Sequence, residues 1–97
     1  LFFADMDRLK DINDRYGHEE GDRAIKEAAE ILRETFRGSD VIARVGGDEF
    51  AVLVINTAVL TPETIQERLE NQIEAHNRRP GRPYRISLSG GTAPYHP

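Results

Sequence analysis

The sequence contains no cysteine, which excludes disulfide bonds, thiolate zinc sites and cysteine nucleophiles. Long hydrophobic runs are also missing, because no apolar segment approaches the roughly 20 residues that span a bilayer. We expect no signal peptide, since no basic leader with an apolar segment behind it is seen. Basic residues are fewer than acidic ones, 13 against 17, for a net charge of −4. Because generic nucleic-acid binding needs a basic surface, we expect no nucleic-acid partner. Because no apolar run is long enough to span a bilayer, we expect no membrane contact by this segment.

The 97 residues, 38% hydrophobic and 31% charged, suffice for one compact and ordered domain. The acidic residues are unevenly distributed. Five of the seven aspartates fall within the first 22 residues: Asp5, Asp7, Asp11, Asp14 and Asp22. A carboxylate cluster close to the end of a strand is a natural place for a divalent cation.

Hydrophobic periodicity predicts six elements along the chain. Four of them are strands, at 1–4, 41–45, 50–55 and 84–89. The fifth is a helical connection in two pieces: a first stretch that breaks at Gly17 and a longer helix from about Gly21 to Arg37. The sixth is a second long helix from Thr61 onward. Gly38 is the expected C-terminal cap of the first long helix, while Thr61 and Pro62 form the start of the second. Since the first strand begins at residue 1, we expect the chain to be an excerpt of a longer protein.

The order β-α-β-β-α-β predicts an α+β fold, the ferredoxin-like or palm-type arrangement of an antiparallel sheet with helices. The helical crossover makes the second strand run in the direction of the first. The hairpin after the second strand should therefore lie at the same edge of the sheet as the end of the first. This brings Asp5 close to Asp48, where two carboxylates form a candidate two-metal or phosphate-transfer site.

The hairpin residues 46–50 read Gly-Gly-Asp-Glu-Phe, the signature of the GGDEF family of diguanylate cyclases. The upstream block resembles the family pattern D-x-D-x-F-K-x-I-N-D-x-x-G-H-x-x-G-D, with Leu9 in place of the Phe. The resemblance predicts a partial GGDEF domain over residues 1–97, without the N-terminal and C-terminal family segments. One further departure is Gly90, where the family usually has an apolar residue.

The resemblance implies that two GTP molecules are condensed into cyclic di-GMP with release of pyrophosphate, by two domains facing each other as a homodimer. Asp5, Asp48 and the backbone carbonyl of Met6 would hold Mg²⁺ or Mn²⁺. Asp48 matches the position proposed as proton acceptor, and Glu49 adds a carboxylate on the metal side. Lys10 would neutralise phosphate charge, although a solvated lysine is the ordinary alternative.

Asn13 and Asp22 match the family's guanine-reading positions. The alternatives are a polar residue at a helix end for Asn13 and a first-turn carboxylate that complements the helix dipole for Asp22. His18 belongs to the substrate-binding block, but we expect it to be a turn residue that hydrogen-bonds the backbone. Asp7 is interpreted as structural.

Gly46 and Gly47 are expected to form the turn with positive φ and to let the backbone approach the nucleotide. An ordinary polar turn is the alternative for Asp48 and its neighbour Glu49. Arg44 on the second strand either adds positive charge near the site or lies on a solvated face.

Arg37 and Asp40 match the family's RxxD site for inhibition by the product cyclic di-GMP, with the family's five residues between Asp40 and Gly46. An arginine before Gly38 is also what a helix C-terminus prefers.

Two other functions stay open at this stage. The first is a catalytically silent module that binds GTP or cyclic di-GMP as a receptor. The second is another palm-type nucleotidyl cyclase or polymerase, which the pair Asn13 and Asp22 disfavours. A domain that uses GTP is expected in the cytoplasm, whether or not its parent protein is anchored in a membrane.

Overall fold

The computed structural model describes residues 2–36, 41–53 and 61–92. Its elements are β1 (Phe2–Met6), α1 (Leu9–Tyr16), α2 (His18–Thr35), β2 (Val41–Arg44), β3 (Glu49–Leu53), α3 (Pro62–Asn77) and β4 (Leu88–Thr92). The α+β class and the predicted element order are confirmed. Within the described ranges, no helix combines the length and the apolar character needed to cross a membrane.

The four strands form one sheet in the order β2-β3-β1-β4, and every neighbouring pair is antiparallel. The central strand β1 places Ala4 opposite Phe50 on β3 and Gly90 on β4. Because β1 and β2 are both antiparallel to β3, they run in the same direction. This is the ferredoxin-like topology predicted from the crossover, and it leaves the β2–β3 hairpin at the edge where β1 ends.

The helices cover one face of this sheet, and the alternation along β1 shows which face. Phe2, Ala4 and Met6 are buried, whereas Phe3 and Asp5 are exposed. The core residues are Phe2, Ala4, Met6, Leu9, Ile12, Ala24, Ala28, Ile31, Leu32, Phe36, Phe50, Val52, Ile65, Leu69, Ile86 and Leu88. Asp5 therefore lies on the open side of the sheet.

The helix α2 begins three residues earlier than the predicted start at Gly21. Gly17, at φ 92°, interrupts the helical path for a single residue, and α2 starts directly afterwards at His18. Glu19 and Glu20 occupy its first turn, where carboxylates complement the helix dipole. The helix ends at Thr35 instead of Arg37, and the predicted cap Gly38 lies outside the described residues.

The last strand begins later than the predicted segment 84–89. The buried positions Ile86 and Leu88 follow the expected alternation, but β4 spans Leu88–Thr92. The reason is that the Asn77 side chain, and not a neighbouring strand, bonds the backbone of Ile86. Its Oδ1 accepts from the Ile86 N–H at 2.7 Å, and its Nδ2 donates to the Ile86 carbonyl at 2.9 Å. The backbone before Leu88 is thus bonded to a side chain of α3.

The other boundaries agree with the sequence within one or two residues. β2 ends at Arg44 and β3 begins at Glu49, and residues 54–55 of the predicted strand lie outside the described ranges. Thr61 caps α3 as predicted, because its Oγ1 accepts from the Thr64 N–H at 3.1 Å, and Pro62 opens the helix.

Gly90 marks a close approach between β4 and β1. A Cβ at this position would lie 2.6 Å from Cζ of Phe2 and 2.8 Å from the Phe3 carbonyl oxygen. Neither a ring buried in the core nor the backbone of a central strand moves easily. The large Phe2 ring thus accounts for glycine where a side chain would be usual.

Candidate active site

The end of β1 and the loop of the β2–β3 hairpin meet at one edge of the sheet. Asp5 lies opposite Glu49 in the β1–β3 register, and the Met6 N–H donates to the Asp48 carbonyl at 2.7 Å. The proximity of Asp5 and Asp48 predicted from the topology is therefore confirmed. Backbone hydrogen bonds hold this arrangement, so it does not depend on the side chains themselves.

The hairpin loop, residues 45–48, is held by the side chain of Arg44. Its Nε donates to the Gly46 carbonyl at 3.1 Å and its Nη2 to the Gly47 carbonyl at 2.9 Å. The expectation of positive φ at Gly46 and Gly47 is wrong, because the positive-φ glycines of the described chain are Gly17 and Gly81. Two-residue hairpin turns need such conformations, whereas four-residue loops are commonly built without them. The exposed guanidinium of Arg44 also brings positive charge to the loop.

The carboxylates at this edge are accessible. Asp5 and Asp48 are exposed and Glu49 is half-buried. In the described part of the chain, no Lys, Arg or His side chain forms an ion pair with any of the three. The Met6 side chain is buried, so only the main chain of that residue could contribute a metal ligand.

These oxygen donors fit Mg²⁺ or Mn²⁺ in chemistry, though they do not form a closed cage. The three carboxylates are not among the described groups whose potential metal-binding atoms all lie within 4.8 Å of one another. Mg²⁺ is usually bound through one or two carboxylates together with substrate phosphates. The edge therefore suits a cation that arrives with a nucleotide better than one bound by protein alone.

Asp7 joins β1 to the segment around β4. Its Oδ2 accepts from the Ser87 hydroxyl at 2.7 Å, and both of its carboxylate oxygens accept from the Ser89 hydroxyl, at 3.0 and 2.9 Å. The Asp7 N–H also donates to the Ser87 carbonyl at 2.9 Å. These bonds agree with the structural role expected for Asp7 and fix the end of β1 beside the carboxylates.

A sharp change of direction places Lys10 just beyond the sheet edge. Arg8, the residue before α1, has φ 62° and ψ 26°, a left-handed conformation that is uncommon outside glycine, asparagine and aspartate. This strained residue turns the chain from β1 into α1 within two residues. Lys10 follows as an exposed residue in the first turn of α1.

Asn13 and Asp22 are brought together where α1 packs on α2. A Cβ at Gly21 would lie 1.7 Å from Oδ1 of Asn13 and 2.8 Å from its Cγ, so the Asn13 amide lies directly against the Gly21 backbone. Asp22 is the next residue and is exposed. Glycine is the residue that leaves room for Asn13 beside Asp22.

The earlier start of α2 changes the interpretation of two predicted residues. Asp22 lies beyond the first turn, so its explanation as a partner of the helix dipole is wrong, because that effect fades within one turn. His18 is the exposed first residue of α2, where we expected a turn residue. The predicted inhibitory residues Arg37 and Asp40 lie outside the described residues.

Tyr84 anchors the start of α2. Its hydroxyl is 3.1 Å from both the main-chain oxygen and the Oε2 of Glu20. Burial, followed by the hydrogen bond to the Glu20 carboxylate, raises the pKa of Tyr84 to about 12. Tyr16 packs on the Tyr84 ring at 5.4 Å between centroids and donates to the Pro83 carbonyl at 3.2 Å. The loop before β4 is thereby attached to both α1 and α2.

Gly21, Ser87 and Ser89 support the candidate site, and the sequence analysis missed all three. A glycine inside a helix is a usable signal, because it costs about 1 kcal/mol relative to alanine and so indicates a packing or functional reason. The serines carry no comparable signal, because their partner Asp7 is distant in sequence.

Comparisons with known proteins agree with this geometry. The family model described as "Diguanylate cyclase, GGDEF domain" matches residues 1–97. The probable diguanylate cyclase DgcC of Escherichia coli (strain K12) is 41% identical over 98 residues, which cover 100% of this chain and 26% of that protein. The chain thus spans about a quarter of the length of this relative.

Solved structures show the same fold. An EAL/GGDEF domain protein from M. capsulatus matches with a TM-score of 0.79 and 34% identity, over 93% of this chain and 59% of that chain. The GGDEF domain of DgcB from Caulobacter crescentus, in complex with c-di-GMP, matches with a TM-score of 0.73 and 27% identity, over 93% and 55% of the two chains. With the family model matching the whole sequence and the Gly-Gly-Asp-Glu-Phe hairpin lying at the end of β1, the chain belongs to the GGDEF domain family.

Proposed function

We propose that this GGDEF domain is the catalytic domain of a diguanylate cyclase, which condenses two GTP molecules into cyclic di-GMP and releases pyrophosphate. The observation that supports this most directly is the meeting of Asp5 with the hairpin residues Asp48 and Glu49 at one edge of the sheet. Accessible carboxylates beside a backbone loop are what phosphoryl-transfer chemistry requires for binding a divalent cation and nucleotide phosphates.

In this proposal Asp5, Asp48 and the Met6 carbonyl hold Mg²⁺ or Mn²⁺, and Glu49 adds a further carboxylate. Once bound, the cation supplies positive charge that stabilises the reacting α-phosphate. Asp48 accepts the proton of the 3′-hydroxyl while that oxygen bonds to the α-phosphorus of the second GTP. The bond from that phosphorus to the leaving pyrophosphate breaks, and two such steps close the cyclic product.

Other residues bind and orient the nucleotide. Lys10 neutralises phosphate charge, and Gly46 and Gly47 let the loop approach the substrate, since a Cβ at Gly47 would meet no described atom within 4 Å. Asp22 accepts hydrogen bonds from N1–H and the 2-amino group of guanine. Asn13, held against Gly21, offers a donor and an acceptor to the same base.

The remaining parts of the proposal concern partners and regulation. Each domain binds one GTP, so catalysis needs a homodimer in which two loaded domains face each other. His18 at the start of α2 belongs to the substrate-binding side, and Arg37 and Asp40 form an inhibitory site for the product. The domain acts in the cytoplasm, where GTP is available.

The test uses the full-length protein with GTP and Mg²⁺ or Mn²⁺, with cyclic di-GMP and pyrophosphate measured by chromatography and mass spectrometry. Asp48→Ala should lower turnover at least about 100-fold, because it removes both a metal ligand and the proton acceptor. Asp11→Ala on the exposed face of α1 is the control: it removes an aspartate of the same acidic segment that has no proposed role.

Cyclic di-GMP formed by the unmodified protein and lost only in Asp48→Ala supports the cyclase. Full activity in that variant contradicts the assignment of Asp48. Binding of GTP or cyclic di-GMP without turnover, under forced dimerisation as well, identifies the receptor function instead, and cyclisation of ATP identifies a different palm-type cyclase.

A further inference from the structure

A second group of potential metal ligands lies in the helical layer, on the side of the sheet opposite Asp5. Glu30 and Glu34 are one turn apart on α2, and His76 is near the end of α3. Their ligand atoms all lie within 4.8 Å of one another. The His76 side chain is only 1% exposed, whereas the Glu30 and Glu34 side chains are 49% and 42% exposed. The group thus joins a buried imidazole to two carboxylates that solvent can reach.

Both ring nitrogens of His76 face carboxylate oxygens. Nδ1 is 3.3 Å from Oε2 of Glu27, and Nε2 is 3.3 Å from Oε1 of Glu34. A neutral imidazole has one donor nitrogen and one acceptor nitrogen. If Nδ1–H donates to Glu27, the lone pair of Nε2 points at Oε1 of Glu34, which is also an acceptor. A contact between two acceptors needs a cation, either a proton or a metal ion, between Nε2 and Oε1.

Glu27 is held in the position of an orienting carboxylate. The Arg82 guanidinium lies 2.9 Å from the Glu27 Oε2 that also faces His76, and the Arg82 side chain is 11% exposed. A histidine that binds a metal usually donates its other ring N–H to such a carboxylate, which fixes the tautomer and the ring orientation. The half-buried pair of Glu27 and Arg82 therefore leaves Nε2 of His76 as the nitrogen available to a metal.

One of the ligand–ligand distances matches the size of a zinc centre. Zinc bonds of about 2.0–2.2 Å to nitrogen and oxygen, at tetrahedral angles, separate neighbouring ligand atoms by roughly 3.3 Å, and Nε2 of His76 lies 3.3 Å from Oε1 of Glu34. Among the described residues, Glu30 otherwise forms a 3.8 Å pair with the exposed Arg79, which is weak. A groove of about 240 Å³, lined by Glu34, Arg68, Asn71 and Gln72, lies beside the Glu34 carboxylate.

We propose that Glu30, Glu34 and His76 form a second divalent-cation site in this protein, selective for Zn²⁺ over Mg²⁺. One imidazole nitrogen with two carboxylates is a zinc-type donor set, whereas Mg²⁺ prefers oxygen ligands alone. Because the ligands come from α2 and α3, the bound ion links the two helices and stabilises the folded chain by mass action. The proposal does not depend on the cyclase activity.

The test is titration of the full-length protein with Zn²⁺ alone and with Mg²⁺ alone, followed by calorimetry and thermal unfolding. Glu30→Gln is the decisive variant, because the side chain is half exposed and its loss should leave the fold intact. We expect it to weaken zinc binding at least about 10-fold and to abolish the rise in Tm on adding zinc. Glu67→Gln, an exposed position on α3, is the matched control, and Asp48→Asn weakens any zinc binding at the sheet edge.

Heteronuclear NMR of the imidazole nitrogens gives a second readout. Zinc should shift the Nε2 resonance of His76 in the unmodified protein, in Glu67→Gln and in Asp48→Asn. Equal zinc affinity in Glu30→Gln and the unmodified protein, or an Nε2 resonance that does not respond to zinc, overturns the proposal and leaves a proton as the cation between His76 and Glu34.

Discussion

Carboxylates are positioned in two different ways at the sheet edge and between the helices. At the sheet edge, strand pairing and the Met6–Asp48 backbone hydrogen bond fix the positions of Asp5 and Asp48, while their side chains are exposed. Between α2 and α3, Glu27 and Glu34 are positioned by side chains, above all the buried ring of His76. The sheet edge should therefore tolerate side-chain changes without loss of fold, whereas the helix pair should not tolerate loss of the buried His76 ring.

The largest expected effect is on stability and tests this contrast directly. His76→Ala removes a buried ring and its contact with Glu34, while Glu27 keeps its pair with Arg82. From the lost burial of the ring we expect the free energy of unfolding to fall by about 3 kcal/mol. Asp48→Ala removes an exposed loop side chain and should change it by less than about 0.5 kcal/mol. Both are measured by denaturant unfolding with a metal chelator present. Similar losses for the two variants would contradict the distinction between backbone and side-chain positioning.

The second prediction concerns Gly21, which belongs to the candidate site but lies on the same helix as Glu27. Gly21→Ala should displace the Asn13 amide, since the new Cβ would overlap its Oδ1, and should lower kcat/KM for GTP about 10-fold. Helix propensity acts the other way and stabilises by about 1 kcal/mol.

A double-mutant cycle shows whether Gly21→Ala weakens GTP binding through the clash with Asn13. Once Asn13→Ala has removed the side chain that clashes, adding Gly21→Ala should bring no further loss of GTP binding, as measured by calorimetry, because the two residues act through one contact. Additive losses in the cycle would show that Gly21 acts independently of Asn13.

The smallest expected effect is at Tyr84, which holds the start of α2. Tyr84→Phe removes the hydroxyl that contacts Glu20 and should lower the free energy of unfolding by about 1 kcal/mol at neutral pH. In the unmodified protein, the folded state keeps the phenolic proton between pH 10 and about 12 while the unfolded state loses it. Stability should therefore fall as the pH rises through that window.

Tyr84→Phe should lose this alkaline dependence, as measured by unfolding at a series of pH values. Tyr16→Phe is the control: it removes a hydrogen bond to the Pro83 carbonyl and leaves Tyr84 in place, so the dependence should remain. An unchanged pH profile in Tyr84→Phe would exclude Tyr84 as its source.

Much of the fold followed from local signals and from the strand direction that a helical crossover imposes. Short apolar runs located the first three strands, alternation located the last, and Thr61 with Pro62 located the start of α3. The helical crossover makes β1 and β2 run in the same direction, which predicted that Asp5 lies beside the hairpin. The start of β4 could not be predicted, because Asn77 on α3 binds the backbone at Ile86. The expected positive φ at Gly46 and Gly47 was also wrong.

The sequence by itself determined the order of the elements along the chain and the edge at which the acidic hairpin lies, because periodicity and chain connectivity act locally and leave few topologies. The family followed from the resemblance of the Gly-Gly-Asp-Glu-Phe hairpin and of the acidic block before it. Only the tertiary structure placed Asn13 against Gly21, bonded Asp7 to two serines and enclosed His76 between Glu27 and Glu34. Each of these contacts depends on how two elements pack, and packing brings together side chains whose separation along the chain carries no periodic signal.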